Sequence, residues 1–373
     1  MTNHLHEIEA QGQSLWLDNI SRQLLDEGIL ERLIKDDGVS GVTSNPSIFE
    51  KAMGHGDRYD DGIREAVSDG LDARDTFLRL ALKDIREGAD LLRETWERTN
   101  GADGYISFEL LPELADQVEG SVSAAKHFVD EIDRENLLIK VPGTAAGVEA
   151  FRELTALGIS VNVTLLFAVE RYEEIADAYV TGLERRAAAG EPVDGVASVA
   201  SFFVSRVDGK VDAALEKAGR SDLQGKAAIA NARVAYESFQ RIFSGPRWEA
   251  LAAKGARVQR PLWASTSTKN PAYPDTLYID ELIGPDTVNT VPDATLDAAR
   301  DHGVAKRTID KDVAGAHKLL DQVRAAGVDI DRICGVELVE EGVASFAKAY
   351  DDLISSIEQK SASLATAGAS KDG

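Results

Sequence analysis

The chain has 373 residues, and its 64 acidic residues outnumber 41 lysines and arginines, for a formal net charge of -23. A surface of that sign repels polyanions, which excludes nucleic acid and anionic membrane as partners, and an anionic ligand would need local positive charge. Its one cysteine, Cys334, excludes an intrachain disulfide and suits a reducing compartment.

Met1 to Gln13 is polar and has no apolar signal-peptide core. No run approaches the roughly 18 apolar residues of a membrane span. A soluble, cytoplasmic protein is expected.

From there the chain alternates short β-rich runs with longer helical stretches. Ser14 to Asp18 reads as the first strand and ends in an acid. Ile20 to Lys35 reads as a helix, and Asp37-Gly38 as a turn. Val39 to Asn45 is the second strand, stopped by Pro46, which lacks an N–H. A long insertion, Pro46 to Asp103, follows. Its main helix spans about Asp72 to Arg98, with Phe77, Leu80, Ala81, Ile85, Ala89, Leu92 and Trp96 at helical spacing and Asp72 as N-cap.

Gly104 to Leu110 is the third strand, and Ser121 to Asp133 a helix. The fourth strand, Leu137 to Val141, sets one lysine, Lys140, among branched apolar residues. Its continuous apolar character fits a parallel strand covered on both faces. Gly147 to Leu157 is a helix stopped at Gly158. Ser160 to Phe167 is the fifth strand, with Asn162 and Thr164 on one face, and a helix runs from Val169 to Arg186. Val196 to Val204 is the sixth strand and feeds a long helical region reaching Phe243. Gln259 to Thr266 is the seventh strand and Thr287 to Val291 the eighth. Two helical stretches, about Asp310 to Ala326 and Glu337 to Gln359, follow. They read as core, as do Trp96 and Trp248. The segment 361–373, rich in Ser, Ala, Lys and Gly, is expected to be a disordered tail.

Eight strands alternating with helices predict a (β/α)8 barrel, one domain over 1–360 with a helical insertion between strands 2 and 3 and extra C-terminal helices. The rival, an open doubly wound sheet, would carry a glycine fingerprint after its first strand, and there is none.

Polar residues sit on or beside almost every strand: Asp18, Asn45, Glu109, Lys140, Asn162, Thr164, Ser201 and Arg206, then Ser265, Ser267 and Lys269. A strand-end acid is often a helix cap, and a strand-end lysine usually snorkels to water. A polar group on nearly every strand is harder to explain as structure, because barrel enzymes take their catalytic groups from strand C-terminal ends. A lysine with two carboxylates suggests covalent amine catalysis. A neutral amine attacks a ketone, and the iminium draws electrons from a neighbouring carbon–carbon bond. Apolar neighbours favour the neutral form of an amine. Asp18 and Glu109 fit the acid–base roles. The six histidines have no zinc spacing, and neither a G-x-S-x-G elbow nor a P-loop is present.

These residues also carry a family resemblance. Gly41 to Phe49 (GVTSNPSIF) resembles the N-terminal signature of the transaldolases, and Leu138-Ile139-Lys140-Val141-Pro142 their Schiff-base lysine strand. Asn162 to Phe167 (NVTLLF) and Ser201 to Arg206 (SFFVSR) resemble two further active-site strands. The match is ordered from about Trp16 to Asn270. It implies transfer of a dihydroxyacetone unit from sedoheptulose 7-phosphate or fructose 6-phosphate to glyceraldehyde 3-phosphate or erythrose 4-phosphate, in the non-oxidative pentose phosphate pathway, with no cofactor and no metal. By the same resemblance Lys140 is the Schiff-base nucleophile and Asp18 exchanges the C4 hydroxyl proton. Glu109 and Thr164 hold the water of dehydration. Asn45 and Asn162 bind the dihydroxyacetone hydroxyls, with Ser201 beside them, and Phe203 walls the site.

Arg206 matches one phosphate arginine. Many members place a second at Ser-x-Arg after the seventh strand; here the stretch is Ser265-Thr266-Ser267-Thr268-Lys269. Lys269 could supply the charge, with Ser265 and Ser267 as hydroxyl donors. The alternatives are a fructose 6-phosphate aldolase that releases free dihydroxyacetone, and a barrel that binds sugar phosphates without turnover. Monomer and homodimer both fit the sequence.

Overall fold

The structure, a computed structural model, describes residues 3–369. A short helix α1 (His4–Ala10) buries Leu5 and Ile8 and precedes strand β1 (Gln13–Leu17). The other strands are β2 (Gly41–Thr43), β3 (Tyr105–Glu109), β4 (Leu137–Pro142), β5 (Val161–Leu166), β6 (Ser198–Phe203), β7 (Gln259–Ala264) and β8 (Thr287–Val291). Each pairs in parallel with the next, and β8 pairs with β1, so the sheet closes into a (β/α)8 barrel. Closure leaves no strand edge to protect. Strand positions agree with the sequence reading to within a few residues, and β8 coincides with it.

The connections differ more. Helices α2 (Arg22–Asp26) and α3 (Ile29–Asp37) replace the single helix expected over Ile20 to Lys35. Gly28 separates them at φ 62, a left-handed conformation that costs glycine little. Between β2 and β3 lie α4 (Pro46–Gly54), α5 (Asp60–Ser68) and α6 (Ala73–Arg98). Asp72 caps α6 as expected, its carboxylate accepting from the Asp75 N–H. Helices α7 (Val118–Ile132), α8 (Ala145–Leu157) and α9 (Val169–Ala188) connect β3 to β4, β4 to β5 and β5 to β6. Gly158 ends α8 in the left-handed conformation. The region after β6 forms α10 (Ser205–Lys217), α11 (Ala227–Ile242) and α12 (Pro246–Ala252), and α13 (Leu277–Asp280) precedes β8.

After β8 come α14 (Asp293–His302), which the sequence reading passed over, then α15 (Val313–Ala325), α16 (Ile330–Arg332) and α17 (Leu338–Ala369). Helix α17 runs on to Ala369, into the segment from 361 where a disordered tail was expected. Residues 370–373 lie outside the described residues. Trp248 is buried and Trp96 partly buried, in keeping with core roles. Among the described residues no helix is long and apolar enough to cross a membrane.

Candidate active site at the C-terminal mouth of the barrel

Strand register builds the centre. Glu109 of β3 lies opposite Lys140 of β4, and Lys140 opposite Asn162 of β5. Neighbouring parallel strands lie about 4.8 Å apart, so in-register residues on one face touch. Leu138, Ile139 and Val141 are fully or almost fully buried around the lysine. The amine itself meets acceptors: Nζ donates to the Ser44 carbonyl at 2.9 Å and to Glu109 Oε2 at 3.1 Å. Lys140 is only 5% exposed and Glu109 9%. The branched apolar neighbours read from sequence are therefore joined by a carboxylate at hydrogen-bond distance from the amine. Burial pushes the Glu109 carboxyl above its ordinary value, with Lys140 opposing.

Asp18 follows β1, and its backbone N–H donates to Val291 across the β1–β8 seam. Thr43 Oγ1 donates to Asp18 Oδ1 at 2.7 Å. A hydroxyl has one proton, so Thr290 Oγ1, 2.7 Å from Thr43 Oγ1, must donate to it in turn. This chain across β1, β2 and β8 fixes the carboxylate. Burial raises the Asp18 carboxyl above its ordinary value, with Lys140 and the Thr43 hydrogen bond pulling the other way.

Strand β5 is irregular where it meets the mouth. Its register against β6 shifts between Val163 and Leu166, and Leu165 has φ 60. Such a bulge re-aims neighbouring side chains and is found beside active sites. Thr164 lines the cavity, and its hydroxyl is buried with no partner among the described residues. A buried polar atom usually has a partner, so this one is open to a ligand or water. Ser265 also has φ 57, a second strained residue at the mouth.

The cavity at this end measures about 200 Å³ and is lined by every expected site residue except Glu109 and Asn162: Asp18, Asn45, Lys140, Thr164, Ser201, Phe203, Arg206, Ser265, Ser267 and Lys269. Asn162 lies one layer back. It is fully buried, its amide donating to Ser107 Oγ at 3.0 Å while its oxygen accepts from Ser201 at 2.7 Å. Glu109 lies on the far side of the amine, beside small pockets that include Leu110 and Pro112. Asn45 caps α4 by accepting from the Ile48 N–H at 3.1 Å, and its amide nitrogen has no partner among the described residues.

Arg206 opens α10 and stacks over Phe203, with Cζ 5.2 Å from the ring centroid. Among the described residues its guanidinium has no hydrogen bond or ion pair. Ser265 and Ser205 hydroxyls are 2.9 Å apart, and Lys269 donates to Ser267 at 2.7 Å. A half-buried arginine with no partner among the described residues, beside hydroxyls and a lysine, has donors free for an anionic group.

A larger cavity of about 480 Å³ lies at the opposite end of the barrel and includes Ser14, Trp16, Asp103, Arg257 and Arg260. Its polar groups satisfy one another: Asp103 accepts from Trp16 and Ser40, and Arg257 donates to the Gly101 and Asn100 carbonyls.

Sequence reading missed Thr43, Thr290 and Phe346. Thr43 shares the quoted GVTSN run and, by the period of two, a face with Asn45. Phe346 sits on α17 and lines the cavity with Nζ of Lys140 5.9 Å from its ring centroid, so the late helices are not core alone. No local signal in the sequence points to it. Among the described residues no cluster of three His, Cys, Asp or Glu side chains could hold a metal ion.

Known proteins resemble this chain over nearly its whole length. Residues 15–357 match the model of the Transaldolase/Fructose-6-phosphate aldolase family. A transaldolase of Parafrankia sp. is 47% identical over 371 residues, covering 98% of this chain and 100% of the relative. Transaldolase 2 of Nostoc sp. is 44% identical over 372 residues, covering 96% and 97%. A transaldolase of Acidothermus cellulolyticus is 47% identical over 360 residues, covering 96% of each. The chain belongs to the transaldolase/fructose-6-phosphate aldolase family.

Proposed function

We propose that this protein is a transaldolase acting through a Schiff base on Lys140. The observation that carries the reading is one mouth holding a buried amine–carboxylate pair, a second carboxylate fixed by two threonines, and an unpaired arginine. The Lys140 amine attacks the C2 carbonyl of a ketose phosphate. Glu109 takes up the amine's proton and gives it to the C2 oxygen, which gains a second proton from solvent and leaves as water, with the Thr164 hydroxyl available to hold that water. The iminium then draws in the C3–C4 electrons while Asp18 accepts the C4 hydroxyl proton. An aldose phosphate departs and the enamine waits on Lys140. An acceptor aldose phosphate takes the new bond at C3, Asp18 returns the proton to the new C4 oxygen, and water hydrolyses the iminium.

A carboxyl whose pKa is raised toward neutrality is the stronger base for this step, which suits Asp18. Asn45 and Ser201 would hold the dihydroxyacetone hydroxyls, with Asn162 acting through Ser201. Arg206, Ser265, Ser267 and Lys269 would hold the phosphate, with Phe203 as wall. Sedoheptulose 7-phosphate and fructose 6-phosphate are the donors this arrangement suits, with glyceraldehyde 3-phosphate and erythrose 4-phosphate as acceptors. The test is acceptor dependence: fructose 6-phosphate should be consumed rapidly only when erythrose 4-phosphate is present. Fast release of free dihydroxyacetone without acceptor would make the protein an aldolase instead.

A further inference from the structure

The remaining residues around the cavity come from strand ends or from the short segments that follow them, whereas Phe346 arrives from α17. It is 8% exposed, faces Lys140 on one side, and on the other borders a narrow apolar pocket that includes Leu110, Leu111, Leu165, Val343 and Glu109. The ring therefore stands over the amine and beside the carboxylate that serves it.

Helix α17 is held firmly in this position. Lys210 of α10 bonds Glu341 of this helix and Glu337 just before it, both at 2.7 Å. Gly342 lets the helix approach β5, since a Cβ there would come within 2.7 Å of Leu165 Cδ2. Further along, the Tyr350 ring meets Phe77 at 5.9 Å, and Leu353 and Ile357 are fully buried. Such anchoring makes Phe346 a fixed wall.

We propose that Phe346 determines the fate of the enamine by keeping water from its nucleophilic carbon, C3, one bond beyond the carbon that the Lys140 nitrogen holds. This rests on the Schiff-base reading above and deepens it. The enamine carbon can attack an acceptor aldehyde, forming a carbon–carbon bond while the aldehyde oxygen takes a proton. Alternatively the same carbon takes a proton from water. The resulting iminium then adds a water, and free dihydroxyacetone leaves the regenerated amine. One water is released on imine formation and one is consumed on hydrolysis, so no oxidant or reductant is needed. An apolar ring over the amine limits the second route by excluding solvent.

The test compares wild type with Phe346→Ala and Phe346→Leu. For each, dihydroxyacetone release from fructose 6-phosphate without acceptor is divided by the rate of transfer to erythrose 4-phosphate. Borohydride reduction with fructose 6-phosphate checks that Lys140 still carries the adduct. The expected result is a ratio raised about tenfold in Phe346→Ala, equivalent to a small relative change in two barriers, and raised less in Phe346→Leu. Should the alanine variant fail to fold, the bulkier leucine variant decides by the same ratio. An unchanged ratio with the adduct still formed on Lys140 overturns the role of Phe346 alone. Absence of the adduct in wild type would overturn the Schiff-base reading and this inference with it.

Discussion

Replacing Arg206 by alanine tests the phosphate site most sharply. The guanidinium lines the cavity, stacks on Phe203 and has no hydrogen-bond or ion-pair partner among the described residues. Burial lowers its pKa from the ordinary value, and Asp18, Glu109 and Glu341 oppose that shift. A phosphoryl group would supply the missing partner. Each charged hydrogen bond contributes about 1.5–3 kcal/mol, and a fork geometry allows two. A loss of about 3–6 kcal/mol corresponds to roughly 10²–10⁴-fold in kcat/KM. The assay compares fructose 6-phosphate with unphosphorylated fructose as donor, with unphosphorylated glyceraldehyde as acceptor in both cases, in wild type and in Arg206→Ala. Activity on the phosphorylated donor should collapse, while the weak activity on fructose should change little. Equal losses on both donors would refute the argument and make Arg206 a structural residue.

Other outcomes follow from the same geometry. Asp18→Ala should still form a borohydride-trappable imine but turn over about 10²–10⁴-fold more slowly; equal loss of both steps would mean its role lies elsewhere. Because Asp18 and Glu109 both titrate above the ordinary carboxyl range, activity should fall on acidification at a pH above that of a free carboxyl, as the two groups gain protons. An acid limb set at ordinary carboxyl values would contradict this. Asp208 is buried, accepts from the Ala228 N–H and from Tyr278, and has its pKa raised from 3.8 to about 6. The folded state therefore binds this proton more tightly than the unfolded chain. The stability so gained, roughly 3 kcal/mol, is fully present below 3.8 and lost as pH rises through about 6. Urea titrations of Asp208→Asn should give a flatter stability profile between those limits, and an unchanged slope would show that Asp208 does not titrate there.

The barrel was legible because the sequence repeats one unit. Each strand is a short apolar run, and the residue that breaks the run marks its C-terminal end, as with Asp18, Asn45 and Arg206. Parallel topology then gathers those ends at one mouth. What stayed hidden depends on distances between elements remote in sequence. The Asn162 position is an example: its strand and face were right, yet the register of β5 on β6 sets it behind Ser201. The carboxylate beside Lys140 follows from the β3–β4 register, which periodicity alone does not fix. Phe346 depends on how α17 crosses the mouth, a matter of tertiary docking through Gly342 and Lys210. The break at Gly28 was missed because the apolar spacing continues across it.

The central claim is that Lys140 forms the covalent intermediate. It is tested most directly by mass spectrometry of the protein after borohydride reduction in the presence of fructose 6-phosphate. A single dihydroxyacetone-derived adduct on the peptide containing Lys140, absent from Lys140→Ala, is the predicted result. An adduct that persists in Lys140→Ala, or turnover without any trappable adduct, would contradict the account.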